Sequence, residues 1–429
     1  MSGGAAAQGP VRADSSGDRI DSLAVQPPGG ARAWLIWGTA VAVYFLAMFH
    51  RNGLGVAALE AQQRFHVGPA LLSLLPMLQL LVYVVLQVPT GLMADRIGPR
   101  RSLLMGLAAM TGGTVLFALA PNIQTAVAGR VLIGLGDAVT FLNVIRLGAL
   151  WFPRSRYALI SALTGVMGGL GQIASVAPLA AALHGLGWTA AFLGSAGVTA
   201  AMALLALLVI RDRPAGARDR HPHVPITLWA SLTEALKARG PRAGMANHAA
   251  VMAPYTVIAV LWGYPFLVEG LGMTSATAGL VLTGLGAGTL WLSPVLGAIV
   301  GRRPSIRRPF AVVCTLLLSL SWVLLVCWPG GLPPVPVAIG VLAVSAAGTV
   351  FAPALSFDFA RDGIPVARTG VASGLVNMSG FTAAVIGIVG AGVILQVGGG
   401  FQAAFLPVAA TTVLATAALL VQLRHYPRG

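Results

Sequence analysis

Four ionisable residues lie inside stretches that are otherwise apolar: His50, Arg51, Arg130 and Asp137. A charge at the centre of a bilayer costs about 2.5–3.5 kcal/mol on insertion scales, so each is a functional candidate. Arg130 and Asp137 are seven residues apart, nearly two helical turns, and share one helix face. That spacing is too long for i,i+4 pairing. Each then needs a partner from a neighbouring helix, from water or from a ligand. Arg51 and Arg130 fall at similar depth if their two stretches run in opposite directions through the bilayer. Two guanidiniums around one cavity would attract an anion and hold a carboxylate or phosphate bidentately.

Asp137 is the candidate proton carrier, a buried acid balanced by a nearby cation. The alternative is a structural ion pair with Arg130 or Arg146. His50 is either a second titrating group near neutrality or a polar helix residue, and Arg51 has the alternative of snorkelling to the outer surface. Gln79, Tyr83 and Gln87 form a stripe at i, i+4 and i+8, and Ser373 and Asn377 stand at i, i+4. Such stripes line an aqueous path or join helices by hydrogen bonds. Tyr255, Trp262 and Tyr264 are placed to face the same cavity, with interfacial anchoring as the alternative for Tyr264. The substrate-binding candidates are thus Arg51, Arg130, Gln79, Tyr83 and Asn377, with Asp137 and His50 for proton coupling.

The elements that must position these residues follow from composition. The 429 residues are 57% hydrophobic and 9% charged, with a mean hydropathy of +0.84. Soluble domains carry about 25% charged residues, so this chain is an integral membrane protein. Its apolar runs are about 20 residues long and do not alternate, which selects helices over a barrel. Twelve spans are expected, at roughly 33–57, 70–94, 102–120, 124–150, 157–183, 188–210, 248–268, 275–300, 309–328, 334–358, 369–395 and 402–423. The net charge of +15 comes from Arg clusters in the loops after even-numbered spans. That alternation places both termini in the cytoplasm and removes the case for nucleic acid. The domain reading is a disordered cytoplasmic tail (1–32), a six-helix bundle (33–210), a cytoplasmic central loop (211–247) with a short surface helix at 227–238, a second six-helix bundle (248–423) and a cytoplasmic tail (424–429). Cys314 and Cys327 are thirteen residues apart on one helix, about 20 Å, too far to bridge. His221-Pro222-His223 reads as solvated loop, and no metal or cofactor is expected.

The halves repeat. Thr164 to Gly169 matches Thr369 to Gly374 at an offset of 205, and Gly91, Arg96 and Arg101 fall on Gly297, Arg302 and Arg307 at an offset of 206. Between the second and third spans runs Gly91-Leu92-Met93-Ala94-Asp95-Arg96-Ile97-Gly98-Pro99-Arg100-Arg101. It resembles the signature loop of the major facilitator superfamily, Gly-x-Leu-Ala-Asp-Arg-x-Gly-Arg-Lys/Arg, with Met93 and Pro99 as departures. The second copy has Gly301 where the first has Asp95.

The resemblance implies an all-α fold of twelve transmembrane helices in two six-helix halves related by a parallel repeat, working by alternating access in the plasma or inner membrane as a monomer. Within the superfamily, Arg130-x-x-x-Gly134-x-x-Asp137 is similar to the Arg-x-x-x-Gly-x-x-Glu of organic anion:proton symporters. His50-Arg51-Asn52 in the first span is similar to the Asp-Arg-x-Asn of the same symporters, with His50 at the acidic place. The resemblance implies anion binding by the arginines, coupling by the acid, and a small-molecule substrate carried with protons. Glycines 165, 168, 169 and 171 in the fifth span and 279, 284, 286 and 288 in the eighth are expected at a rocking interface. The antiporter pattern Gly-Pro-x-x-Gly-Gly is reduced to Ala177-Pro178, which disfavours drug efflux without removing it as the competing reading. A membrane sensor is the other competitor; no enzyme motif is present.

Gly91, Asp95, Arg96, Gly98, Arg100 and Arg101 are the expected gating loop, with Asp95 latched to the N-terminal end of the eleventh span. A carboxylate there gains about 0.3–1 kcal/mol from the helix dipole. Asp95→Asn is therefore expected to slow transport or shift the conformational balance while leaving substrate binding intact. Transport kinetics and thiol accessibility from the cytoplasmic side check this; unchanged values of both would remove the latch.

Overall fold

Apolar runs of this length can satisfy their backbone hydrogen bonds in lipid only as helices, and the computed structural model contains helices and no strand among its described residues. Residues 29–213, 228–302, 304–365 and 368–424 are described. Within them, the side chains at 88, 91–96, 154, 157–158, 228, 291, 293–302, 304 and 351–354 are not. The expected tail over 1–28, the loop over 214–227 with His221 and His223, and the end at 425–429 lie outside the described residues.

The protein is an integral multi-pass membrane protein of two six-helix halves. Span 1 is Ala31–Asn52, continued by Leu54–Phe65. Spans 2 and 3 are Pro69–Ile97 and Pro99–Leu119. Span 4 is Ile123–Ala138 with Thr140–Trp151. Span 5 starts as Tyr157–Ala174 and runs into Ala177–Val209, which turns at Gly187 (φ 76°) to become span 6. Span 7 covers Arg239–Gly270. Spans 8 to 11 are Ser275–Arg302, Arg307–Val326, Val335–Arg361 and Thr369–Gln396, and span 12 covers Phe401–Arg424.

Two boundaries differ from expectation for physical reasons. Span 1 continues past residue 57 because Gly53 keeps right-handed helical angles (φ −61°, ψ −19°), so the chain bends without stopping. Span 7 starts at Arg239, well before residue 248. Its polar start is satisfied inside the bundle: the Asn247 amide donates to Ser356 Oγ at 2.8 Å. Gly244 lies so close to span 10 that an added Cβ would stand 2.5 Å from the Ser356 carbonyl oxygen. Among the described residues, the central loop therefore holds one separate helix, Leu228–Lys237.

The glycine expectation is met only in part. Gly169 of span 5 faces Leu290 of span 8, and Gly286 faces Ile173. Gly168 and Gly171 instead pack on Tyr44 and on the Phe45 backbone of span 1, and Gly165, Gly279, Gly284 and Gly288 have no described atom within 4 Å of an added Cβ. The halves also meet where Gly55 approaches the Ala259 carbonyl and where Gly392 approaches the Pro69 carbonyl. Both contacts lie at the end remote from the Arg-rich loops. Trp262 and Tyr264 belong to this core rather than to a cavity: both are buried, and the Trp262 indole donates to the Ile388 carbonyl at 2.8 Å. Cys314 is half-buried and Cys327 exposed, both free.

Four passes are interrupted near the middle: span 1 at Gly53, span 4 at Val139, span 5 at Ser175–Val176, and span 7 through π-helical turns at Ile258–Trp262. Spans 3 and 4, by contrast, are joined backbone to backbone. An added Cβ at Gly113 would stand 2.7 Å from the Gly129 carbonyl oxygen, and one at Gly129 would stand 2.8 Å from that of Gly113. Gly113→Ile must push the helices apart, and overpacking of this kind costs about 1–3 kcal/mol. The expected result is a lower unfolding midpoint in detergent together with loss of transport, while Gly112→Ile, with open space at its Cβ, leaves the midpoint unchanged.

Candidate functional site

Gly53 and Val139 interrupt their helices one or two residues after Asn52 and Asp137, so the charged residues of spans 1 and 4 sit beside breaks. At the break in span 4, Thr140 Oγ1 donates to the Asp137 carbonyl at 2.8 Å. At that in span 1, the Asn52 amide donates to the Met48 carbonyl at 2.8 Å. π turns and helix breaks cluster at functional sites because they free backbone groups and re-aim side chains.

Across these breaks Arg51 and Asp137 form a bidentate pair. Nε donates to Oδ2 at 2.7 Å and Nη2 to Oδ1 at 2.8 Å. Both residues are buried, Asp137 completely. A parallel fork of two charge-assisted bonds is the strongest arrangement these groups can make. The guanidinium lies over the Tyr83 ring, 4.3 Å from its centroid, and 5.5 Å from that of Phe381. Tyr83 and Phe381 are themselves in edge contact at 4.9 Å. Tyr83 belongs to span 2 and Phe381 to span 11, so the Arg51 cation is held by side chains from both halves.

Arg130 faces the same helix but makes different bonds. Its Nη1 donates to the His50 carbonyl at 3.1 Å and its Nη2 to the Arg51 carbonyl at 3.3 Å. Phe117 stacks on it at 5.4 Å, and its Nε has no partner among the described residues. The ion pair of Asp137 is thus with Arg51; the alternatives with Arg130 or Arg146 are corrected, because span 1 bends its arginine directly under the carboxylate. The picture of two guanidiniums open to one cavity is corrected too. One is neutralised by Asp137, and the other is folded against backbone carbonyls.

His50 points the other way. Its Nε2 lies 2.7 Å from Thr199 Oγ1 and its Nδ1 lies 3.4 Å from Thr114 Oγ1. It is wedged between spans 3 and 6, on the side of span 1 away from Arg51, as a polar helix residue would be. Gln79 is buried, and neither amide atom has a partner among the described residues. It packs against Gly134, midway between Arg130 and Asp137. Asn377 is half-buried on span 11.

A small cavity between the halves is lined by Asn52, Gly55, Gln172, Val176, Tyr255 and Leu282. Its volume is about 10 Å³, room for about one water. Asn52 and Gln172 were not singled out as ligand candidates, although polar residues inside apolar runs were the available signal.

Of the gating loop, the Gly91, Asp95 and Arg96 side chains lie outside the described residues. Gly98 makes the turn with φ +85°, where a side chain would be strained. The Arg100 N–H donates to Asp212 Oδ1 at 2.6 Å, and its guanidinium donates to the Leu207 carbonyl at 2.8 Å. Asp212, just beyond span 6, thereby caps span 3, a favourable place for a carboxylate. Arg101 is exposed.

Comparison with known proteins adds the following. The model of the Major Facilitator Superfamily matches residues 40–246. A protein of Agrobacterium vitis named as a tartrate transporter is 27% identical over 64% of this chain and 60% of its own. One of Escherichia coli (strain K12), named as a galactarate/D-glucarate transporter, is 24% identical over 92% and 94%. One of Cupriavidus necator, named as a sulfoacetate transporter, is 25% identical over 44% and 43%. The chain spans about two fifths to three fifths of the length of the first of these relatives. Among solved structures, a bacterial homologue of the lysosomal transporter Spinster, inward-facing and unoccupied, aligns over 92% of this chain and 97% of its own with a TM-score of 0.72 at 15% identity. A D-xylose-proton symporter aligns over 92% and 98% with 0.71 at 15%. The named relatives are transporters, not enzymes.

Removing one partner of a buried pair leaves an uncompensated charge and costs about 3–5 kcal/mol. Asp137→Ala and Arg51→Ala are each expected to lower the unfolding midpoint, and the double variant to recover part of the loss. Additive losses in the double variant would show that the pair is not coupled.

Proposed function

We propose that the chain is a member of the major facilitator superfamily and a secondary active transporter that carries a small organic anion by alternating access, coupled to protons. The observation that carries this reading is the buried, bidentate Arg51–Asp137 pair beside a second guanidinium. Carboxylates and sulfonates, the groups in the substrates for which the relatives are named, fit the fork that Asp137 occupies.

The chemistry is an exchange of partners. In the empty site Asp137 neutralises Arg51. An incoming anion takes the Arg51 fork, and Asp137 is left buried without its cation. Such a charge is expensive, and taking up a proton removes the cost. Proton and anion then enter the centre together, and release of the anion to one side lets Asp137 return to Arg51 as it gives up the proton. Arg130 positions span 1 through the carbonyls of His50 and Arg51. Gln79, with neither amide atom bonded among the described residues, is the candidate for hydroxyls of a sugar acid, and Asn377 supplies a polar group from the opposite half. His50, bonded to Thr114 and Thr199, holds span 1 in place and does not carry the proton.

The closed contacts at the end remote from the Arg-rich loops support a state that is shut on that side. With both termini and these loops in the cytoplasm, the shut side is the outer face of a monomer in the cell membrane. The loop of Gly91, Asp95 and Arg96 is the latch of the opposite state.

The test is uptake into proteoliposomes under an imposed pH gradient, with tartrate, D-glucarate and sulfoacetate as probes. Saturable accumulation driven by the gradient is expected for the wild type. Truncating a buried charge partner costs about 2–5 kcal/mol in binding, so Arg51→Ala should lose thirtyfold or more in apparent affinity. Asp137→Asn should keep exchange of labelled for unlabelled substrate while losing accumulation. Wild-type accumulation in both variants would overturn the assignment.

A further inference from the structure

The helix Leu228–Lys237 precedes span 7 and stands outside the transport path. It is ten residues long and two-sided. Ser231 and Ala235 are each 1% exposed; Ala235 packs with Ala360, Ile364, Ala372 and Val376 at the loop ends of spans 10 and 11. The other face shows Trp229, Thr233, Leu236 and Lys237, spaced to fall within about 120° of one another. Trp229 is 77% exposed and Leu236 50%.

Its position fixes its depth. Ala238 is extended (φ −70°, ψ 139°), and Arg239 immediately begins span 7. The helix also leans on the turn that joins spans 10 and 11. It therefore lies where the spans leave the bilayer, which is the depth that Trp prefers.

The charges around it are one-sided. Glu234 is engaged in an ion pair with Arg368, while Lys237 and Arg242 are exposed. Counting Arg368 and Glu234 as well, three positive charges meet one negative, a surplus of two. An open groove of about 710 Å³ runs between the helix and Arg368, lined by Trp229, Thr233, Glu234 and Lys237. It offers an ammonium and a hydroxyl next to an indole.

We propose that this groove binds the headgroup of an anionic phospholipid, with Lys237 and the neighbouring arginines on the phosphate, the Thr233 hydroxyl on the glycerol, and Trp229 and Leu236 in the boundary of the acyl region. Basic residues next to a membrane surface gain about 1 kcal/mol each from anionic lipid, and an amphipathic helix with Trp and Leu on its apolar side is built to lie in that plane. The site is independent of the transport assignment. It links the lipid surface to span 11, which carries Phe381 against Arg51.

The test uses the full chain in nanodiscs of phosphatidylcholine with brominated phosphatidylglycerol or, at equal bromine content, brominated phosphatidylcholine. The Trp229 signal is the difference between the wild type and Trp229→Phe. Brominated phosphatidylglycerol is expected to quench it at least twofold more than brominated phosphatidylcholine, and Lys237→Gln/Arg242→Gln to equalise the two. An unfolding midpoint unchanged in phosphatidylcholine establishes that the double variant is folded. Equal quenching in the wild type would leave a non-selective surface anchor and overturn the proposal. Absence of quenching by either lipid would also overturn it, and would assign this face to residues 214–227 or to a second copy of the chain.

Discussion

The arrangement of the N-terminal half depends on one constraint: a cation and an anion buried together in a medium that cannot solvate either. Arg51 and Asp137 remove each other's charge through two short bonds, and everything near them serves that geometry. The bend at Gly53 and the break at Val139 bring the two side chains onto one line. Tyr83 and Phe381 cover the guanidinium from the two halves, so the pair is sealed only while spans 2 and 11 are in contact. Low dielectric strengthens the attraction and raises the penalty for separation at the same time. A ligand that replaces one partner must therefore bring its own charge, the physical basis of the proposed anion selectivity.

The fold was largely legible. Runs of apolar residues of membrane-spanning length, with arginines in alternate loops, define the passes, and the internal repeat divides them. The boundary at span 7 was misread because Arg239, Arg242 and Asn247 look like loop. Gly240 and Gly244 are what let that polar segment lie against span 10, and their role depends on a neighbour that sequence spacing cannot reveal.

The site was legible in its members and not in its bonds. Arg51, Arg130 and Asp137 stand out because charges are rare inside spans. Which guanidinium meets the carboxylate is decided by how spans 1 and 4 cross, and seven-residue spacing within span 4 carries no information on that. Phe381 had no signal at all, being one aromatic among many in apolar helices. His50 had a strong local signal, its place beside Arg51, but adjacent residues on a helix point about 100° apart, which turned it towards Thr114 and Thr199.

The backbone carbonyls that receive Arg130 have an electrical consequence. They satisfy its donors but bring no countercharge, so with Arg51 (+1), Asp137 (−1) and Arg130 (+1) the empty centre keeps a net +1 among the described residues. A full elementary charge crossing the whole membrane potential is worth about 2.3 kcal/mol per 100 mV, and a rocking centre crosses some fraction of it. In the proposed cycle, a cell interior held negative would draw the unloaded centre inward. Under the proposed coupling, a proton and a monoanion entering together would leave that charge unchanged, whereas a proton with a dianion would cancel it, so the valence of the cargo would decide whether the loaded carrier feels the voltage.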